Sequence, residues 1–366
     1  MVNKVWIKGF RNLVEQVVTL HPRVTVVLGP NNQGKTNFLE AVYFLMTGKS
    51  PAKAQSDMMV SILLPKAQLG LSVVGFGEDK KLYIDLLRDG TKRIQWDGEF
   101  VKTHRTVMGV LAVQYWSADV LWLFQESPSF RRDFLDLFCE RYFAEFSGFD
   151  RRYQSILKQK NSLLGMMSVD MKMLELLNQQ LAQVGSELVR FRNLAIGMMM
   201  EKVTPYLASY FPNQGDDICV EYAFSGFLNG VSVDEYGAKL LQLLTEKCSK
   251  EVMVRQSLYG PHRDDFVVKV GDMPMVGYYS RGMTRIFALL MTFSQLLLLG
   301  SDQKRVSVLL LDDAFAELDL AKKKALMSDF SEYAQVVYTT VLEEDRELSD
   351  DLSLYRVAAG RIELCG

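Results

Sequence analysis

Val5 and Ile7 alternate with polar neighbours at the start of the chain, the period-two pattern of a strand with one buried face. Phe10-Arg11-Asn12 then leads into a short hairpin. Val24-Thr25-Val26-Val27-Leu28 is a nearly unbroken apolar run, as expected of a strand buried on both faces. It ends in Gly29-Pro30, and a helical period takes over at Phe38, Leu39, Val42, Tyr43, Leu45 and Met46 until Gly48 closes it. From about Leu69 to Val113 short strand-like runs return. Asp89-Gly90 and Asp97-Gly98 stand where hairpin turns belong, which predicts an antiparallel meander.

Near residue 127 the pattern becomes helical. Ser127-Pro128 reads as an N-cap with proline at the first helical position, and apolar residues recur at Phe130, Phe134, Leu135, Leu137 and Phe138. A second helix is expected near 150–164 and a long one near 170–204. From about 216 strands resume, ending in the apolar run Val306 to Leu311, a helix near 319–334 and Val336-Val337-Tyr338. The pattern predicts one α/β lobe built from residues 1–113 and 216–366, with a helical lobe, 114–215, inserted between them. There is no internal repeat and no sustained heptad array.

A length of 366 residues, 48% hydrophobic, supports two lobes rather than one. No run of eighteen uncharged apolar residues occurs, and the first thirteen residues lack an apolar signal core, so a cytoplasmic protein without a membrane span is expected. Cys139, Cys219, Cys248 and Cys365 are scattered, without metal-ligand spacing, and are expected to be reduced thiols. The net charge of −2 gives no global basicity. Its distribution is uneven: residues 1–110 carry 15 Lys+Arg against 9 Asp+Glu, and residues 205–366 carry 16 against 24. Solvated faces and a locally positive lobe facing phosphates both account for this.

Gly29-Pro30-Asn31-Asn32-Gln33-Gly34-Lys35-Thr36 has the spacing G-x-x-x-x-G-K-[ST] between a strand and a helix. A terminal polyphosphate needs many N–H donors in a small concave space, where side chains would block its approach. Glycines let the backbone curl so that successive N–H groups converge, and the helix start through Asn37 adds its positive dipole end. Lys35 is placed to reach the β- and γ-phosphates, and Thr36 to ligate Mg²⁺. The second motif, Val308-Leu309-Leu310-Leu311-Asp312-Asp313, is an apolar strand ending in two acids. Asp312 is the candidate Mg²⁺ partner and Asp313 the candidate for orienting or deprotonating the attacking water. Alone, such a strand end is also an ordinary turn; the P-loop beside it gives it meaning.

Asp312-Asp313-Ala314-Phe315-Ala316-Glu317-Leu318-Asp319 resembles the extended Walker B and D-loop of ABC-type ATPases, especially the RecF family. Phe10-Arg11-Asn12 resembles the opening of RecF, Rad50 and SMC heads. Ser127-Pro128-Ser129-Phe130-Arg131-Arg132-Asp133-Phe134-Leu135-Asp136, the block Tyr153 to Leu164, and Gly260-Pro261-His262-Arg263-Asp264-Asp265 are similar to further RecF blocks, in the family's order along nearly the whole chain. About 245 residues separate Lys35 from Ser280, too few for the long arms of SMC and Rad50. The resemblance implies a P-loop ABC-ATPase head of α/β class with an antiparallel meander, a second α-helical lobe, and no long coiled coil.

It also implies a weak ATPase using ATP and Mg²⁺, a homodimer formed around ATP, and binding to duplex and single-stranded DNA. Repair of single-strand gaps and stalled forks, with recombinase loading aided by RecO and RecR, comes with it. In the family the signature Ser, here Ser280 with Gly282, contacts the nucleotide of the other protomer, and Asp319 belongs to the D-loop. The usual Ser-Gln-Gly-Gln-Gln-Arg reads Ser280-Arg281-Gly282-Met283-Thr284-Arg285 here, which puts hydrolysis rate and dimer affinity in question. Ala118, Glu126 and Ala316 depart from the family's proline, glycine and serine.

Other candidates are read from position. Gln114, expected at a strand end, is a candidate Q-loop metal sensor; Arg11 is a candidate phosphate contact; Thr339 or Thr340 stands where a switch histidine is common. His262, without partner ligands at metal spacing, is expected to be hydrogen-bonded. Arg131, Arg132, Arg151, Arg152, Lys158 and Lys160 are the candidate DNA contacts, although residues 128–204 carry 11 positive and 9 negative charges and form no basic belt. The alternatives are a nucleotide-switched interaction head that binds no DNA, and a transporter-type ATPase.

Overall fold

The computed structural model describes residues 1–52, 54–75, 79–117, 128–212, 215–226, 231–301 and 305–365. Ala118, Glu126 and Ser127 lie outside them. The chain divides into two compact units, Met1–Val120 with Leu289–Gly366, and Leu121–Ala288.

The first unit holds two six-stranded sheets. One is antiparallel, in the order β2-β1-β4-β5-β6-β7, from β1 (Val2–Lys8), β2 (Gln16–Thr19), β4 (Lys66–Val73), β5 (Lys80–Leu87), β6 (Lys92–Trp96) and β7 (Glu99–Val101). The expected turn dipeptides close two of its hairpins: Gly90 lies between β5 and β6, and Asp97 and Gly98 both take positive φ between β6 and β7. That double left-handed geometry matches the twist of paired strands, and Asp and Gly tolerate it best.

The other sheet runs β15-β14-β3-β13-β12-β8. Its strands are β3 (Val24–Leu28), β8 (Leu111–Trp116), β12 (Val306–Asp312), β13 (Gln335–Thr340), β14 (Leu352–Ala358) and β15 (Arg361–Leu364), parallel except for the β14–β15 hairpin. Every residue of β3 and β13 is buried, which explains their unalternating apolar runs. Helix α1 (Lys35–Thr47) lies between the sheets, with Phe38, Leu39, Val42 and Phe44 in one core with Val5, Ile7, Leu69, Ile84 and Val337. Each such side chain contributes about 1.5–3 kcal/mol by leaving water. Short α2 (Ser56–Met59) and α3 (Arg105–Val110) complete this part.

The second unit packs α4 (Pro128–Tyr142), α5 (Phe146–Leu164) and the forty-residue α6 (Met171–Tyr210) with α7 (Tyr236–Glu246) and α8 (Cys248–Val254). Asp170 caps α6 by accepting from Lys172 N and Met173 N. The helical lobe was expected to end at 215. Instead residues to 288 group with it, because β9 (Ile218–Ala223), β10 (Asp265–Val270) and β11 (Met273–Pro274) form their own antiparallel sheet in this unit. The single turn α9 (Met275–Tyr278) precedes α10 (Arg281–Leu299).

Helix α10 is long and apolar enough to cross a bilayer, yet most of it is buried inside the protein. Phe293, for example, stacks 4.6 Å from Phe330 of α11 (Leu320–Tyr333). It is a core helix of the kind that satisfies the same length and composition.

Candidate nucleotide site

The loop from Gly29 to Gly34 leaves the end of β3 and enters α1, as its motif requires. Its path is set by close packing. A Cβ on Gly29 would fall 2.6 Å from the Val357 carbonyl, and one on Gly34 would fall 2.9 Å from Leu13 Cδ2. Gly34 also has φ +116°, and Asn32 is left-handed at φ +62°. The C-terminal hairpin braces the loop: Gly360 N donates to the Gln33 carbonyl at 3.0 Å and Ala359 N to Gln33 Oε1 at 2.7 Å. Asn37 Nδ2 donates to Asn12 Oδ1 at 2.8 Å, tying α1 to the Phe10-Arg11-Asn12 segment.

Lys35 is buried, and its Nζ donates to the carbonyls of Gly29 at 2.7 Å and Pro30 at 3.0 Å. Burial lowers its pKa, while the charges of Asp313 and then Asp312 act in the opposite direction. Asp312 ends β12, which lies beside β13 and so one strand from β3, at the same edge of the parallel sheet as the loop. No side chain caps α1, so its first-turn N–H groups are open to an anion, and Pro30, Asn31, Asn32 and Thr36 are exposed.

At the end of β12, Asp312 Oδ1 accepts from the Thr339 hydroxyl at 2.6 Å and Oδ2 from the Tyr115 hydroxyl at 3.1 Å. Asp313 takes φ +52° and its N–H donates to the Thr339 carbonyl at 3.1 Å, anchoring the turn. A left-handed aspartate costs about 1 kcal/mol, and its persistence marks a position held by its surroundings. Tyr115 escaped sequence reasoning; its place opposite Leu310, two residues before Asp312, becomes visible only with the β12–β8 register.

Several expected placements differ. Gln114 does not end its strand, because β8 continues to Trp116; it is buried, and its amide donates to Gln295 Oε1 at 2.7 Å. Arg11 grips Glu40 with Nε at 2.6 Å and Nη2 at 2.9 Å, and Ser50 donates to the same carboxylate at 2.6 Å. Its guanidinium thus fixes the Phe10-Arg11-Asn12 segment to α1 rather than pointing free. Thr339 and Thr340 lie within β13, and β14 and β15 follow it; Thr340 donates to buried Asp345. Asp319 caps α11, accepting from Lys322 N at 2.9 Å.

Ser280 and Gly282 belong to the second unit. Ser280 immediately precedes α10, is exposed, and its Oγ accepts from Met283 N at 3.4 Å. Ser280 thus stands exposed at a helix start, with Gly282 half-buried in its first turn.

The basic candidates of the second unit divide into two groups. Arg131 makes a two-pronged bond to Asp265, both at 2.6 Å, and Arg132 donates to the Asp264 carbonyl at 2.7 Å. Lys160 is fully buried 2.7 Å from Glu251, itself fully buried. These three side chains are engaged in bonds within the unit. Arg151, Arg152 and Lys158 are exposed on α5.

The Gly260–Asp265 block receives Arg131 and Arg132. Buried Asp264 accepts from Tyr236 at 2.8 Å and Ser225 N at 2.7 Å, while Arg192 bonds Asp136 at 2.7 and 2.8 Å and the Pro261 carbonyl at 2.7 Å. Tyr153 and His262 Nδ1 lie 2.7 Å apart, and burial lowers the His262 pKa to about 4.

The family model described as the RecF/RecN/SMC N terminal domain matches residues 1–361. A protein of Staphylococcus carnosus named DNA replication and repair protein RecF is 30% identical over 373 residues, covering 99% of both chains. One of the same name from Clostridium novyi is 28% identical over 356 residues, covering 97% of both. Among solved structures, the recombination mediator protein RecF-ATPrS in the RecFOR pathway superposes with a TM-score of 0.83 at 24% identity, covering 100% of this chain and 98% of that one. An Smc head bound to the C-winged helix domain of ScpA gives 0.56 at 14%, covering 100% and 96%. These superpositions describe the fold.

Proposed function

The chain belongs to the RecF branch of the RecF/RecN/SMC family, and from that premise we propose that it is an ATP-dependent DNA replication and repair protein that dimerises around nucleotide. The observation that carries this is that Lys35, an uncapped helix start and two strand-end carboxylates lie at the same edge of the parallel sheet. The residues present fit ATP with Mg²⁺. Gly29 to Asn37 supply the N–H cradle, Lys35 leaves its two carbonyls for the β- and γ-phosphates, and Thr36 with Asp312 hold the metal. When bound, the metal supplies charge neutralisation for the phosphoryl oxygens.

Asp313 orients the attacking water, and its fixed backbone pre-sets that carboxylate. Lys35 neutralises charge on the departing side. In a symmetric pair the Ser280–Gly282 helix start of one copy closes on the nucleotide of the other, with Asp319 at the same boundary. Loss of the γ-phosphate removes that bridge, so slow hydrolysis opens the pair. Duplex DNA would be held mainly through phosphates, without sequence preference, and single-stranded DNA is the second ligand of this role. RecO and RecR are the partners this role requires at gaps and stalled forks, where the assembly helps load recombinase; the compartment is the cytoplasm.

The test is light scattering of wild type and Lys35→Ala with ATP, ADP or neither, with duplex DNA titrated at two salt concentrations. ATP-specific dimerisation and strongest DNA binding in that state, both lost in Lys35→Ala, support the proposal. A monomer under every nucleotide, with unchanged DNA binding, overturns it.

A further inference from the structure

The register of the antiparallel sheet sets one residue from each strand in a single row on its outer face: Val17, Trp6, Gly70, Tyr83, Gln95 and Phe100. Their neighbours Val5, Leu69, Leu82 and Ile94 point the other way, into the core. The outer row ought therefore to be polar, yet it carries three aromatic rings. Phe100 is 73% exposed and Tyr83 41%.

Gly70 makes the row continuous. A Cβ there would fall 2.8 Å from Tyr83 Cδ1, so Tyr83 lies across the glycine toward Trp6, at 5.8 Å between ring centroids and a 37° tilt. An open groove of about 760 Å³ runs over Trp6, Tyr83 and Phe100.

The rows on either side are polar and carry more positive than negative charge. Lys4, Ser72 and Lys81 form one; Lys8, Gln68, Asp85 and Arg93 form the other. Lys8 pairs with Glu15 at 2.8 Å and Lys66 with Asp85 at 2.7 Å, so those carboxylates are answered within the face. Asp97 stands at the β6–β7 turn, leaving Lys4, Lys81 and Arg93 to meet an anion.

Rings in the middle, cations along both margins and amides between them suit a ligand with flat apolar units strung on a charged backbone. Six strands span about 24 Å, enough for a short extended strand of bases. A duplex hides its base faces and gains nothing from exposed rings. We propose that this face is a stacking platform for single-stranded DNA, separate from the nucleotide loop. The choice of DNA over RNA rests on the repair function proposed above; the stacking itself does not.

The experiment is fluorescence anisotropy of labelled twelve-residue oligothymidylate, oligouridylate and a blunt DNA hairpin duplex, on the full chain without nucleotide. The variants are Tyr83→Ala/Phe100→Ala and the ring-retaining Tyr83→Phe/Phe100→Tyr. The alanine pair is expected to weaken oligothymidylate binding at least about tenfold and leave hairpin binding and thermal midpoint unchanged, with the ring-retaining pair behaving as wild type. Unchanged oligothymidylate binding overturns the proposal and leaves a protein-docking face. Equal loss on the hairpin, or preference for oligouridylate, also overturns it. Lys35→Ala is carried in parallel: if it binds oligothymidylate normally while failing to dimerise with ATP, the platform stands independently of the nucleotide switch.

Discussion

The Thr339 hydroxyl donates to Asp312 Oδ1 at 2.6 Å, so the strand that ends in Asp312 and its parallel neighbour are latched at their shared end. Thr339→Val keeps shape and removes the donor, leaving Asp312 one fixed contact, from Tyr115. Isothermal titration with ATP should show Mg²⁺-dependent affinity falling about tenfold, with Mg²⁺-independent binding unchanged. Equal loss in both conditions would mean the hydroxyl serves the fold and not the metal site.

Lys160 and Glu251 are both fully buried, 2.7 Å apart, and Glu251 Oε1 also accepts from Leu258 N at 2.8 Å. Burial lowers the Lys160 pKa, opposed by Glu251. Removing one partner strands a charge, so Glu251→Gln should lower unfolding free energy by about 3–5 kcal/mol in urea titrations. Lys160→Met/Glu251→Leu should recover most of it. A double variant no better than the single would show that the pair's hydrogen bonds, rather than the stranded charge, set the cost.

His262 has a pKa near 4 in the folded protein against an ordinary value of 6.5, with burial the largest cause. The unfolded chain therefore takes up this proton first. The histidine's contribution is fully present above about pH 6.5 and is lost as pH falls toward 4. His104, also lowered to about 4 by burial and then Lys92, adds the same sign. Denaturation midpoints across pH 4–7 should rise with pH, and His262→Gln should flatten the slope. A slope unaltered by the substitution would assign the dependence elsewhere.

Arg151, Arg152 and Lys158 are the exposed cations of the arginine-rich block. If they touch duplex phosphates in the ATP state, each alanine should reduce the slope of log affinity against log salt by about 0.9. Affinity should fall alike for unrelated sequences. Wild-type slopes in the triple variant would move the duplex surface off α5.

Much of the fold was legible because its signals are local. The P-loop spans eight residues, the Asp97-Gly98 turn two, and buried strands announce themselves as apolar runs. Charge pairing was not. Arg131 meets Asp265 134 positions away, and Arg11 meets Glu40 at 29, so two residues that read as candidate DNA and phosphate contacts are half-buried and ion-paired. The unit boundary failed for a related reason: β9 to β11 look like a return to the parallel sheet, but their partners are one another. The aromatic row was equally hidden. Trp6, Tyr83 and Phe100 are ordinary singles until strand register aligns them.

The strand that launches the nucleotide loop lies between β13 and β14, and the loop itself is braced by Val357, Ala359 and Gly360. On the ribosome the loop is made before its walls, which follow more than 300 residues later. A growing chain thus carries the loop over that interval without the support that shapes it. The loop's native geometry is therefore reached only once translation has passed Gly360.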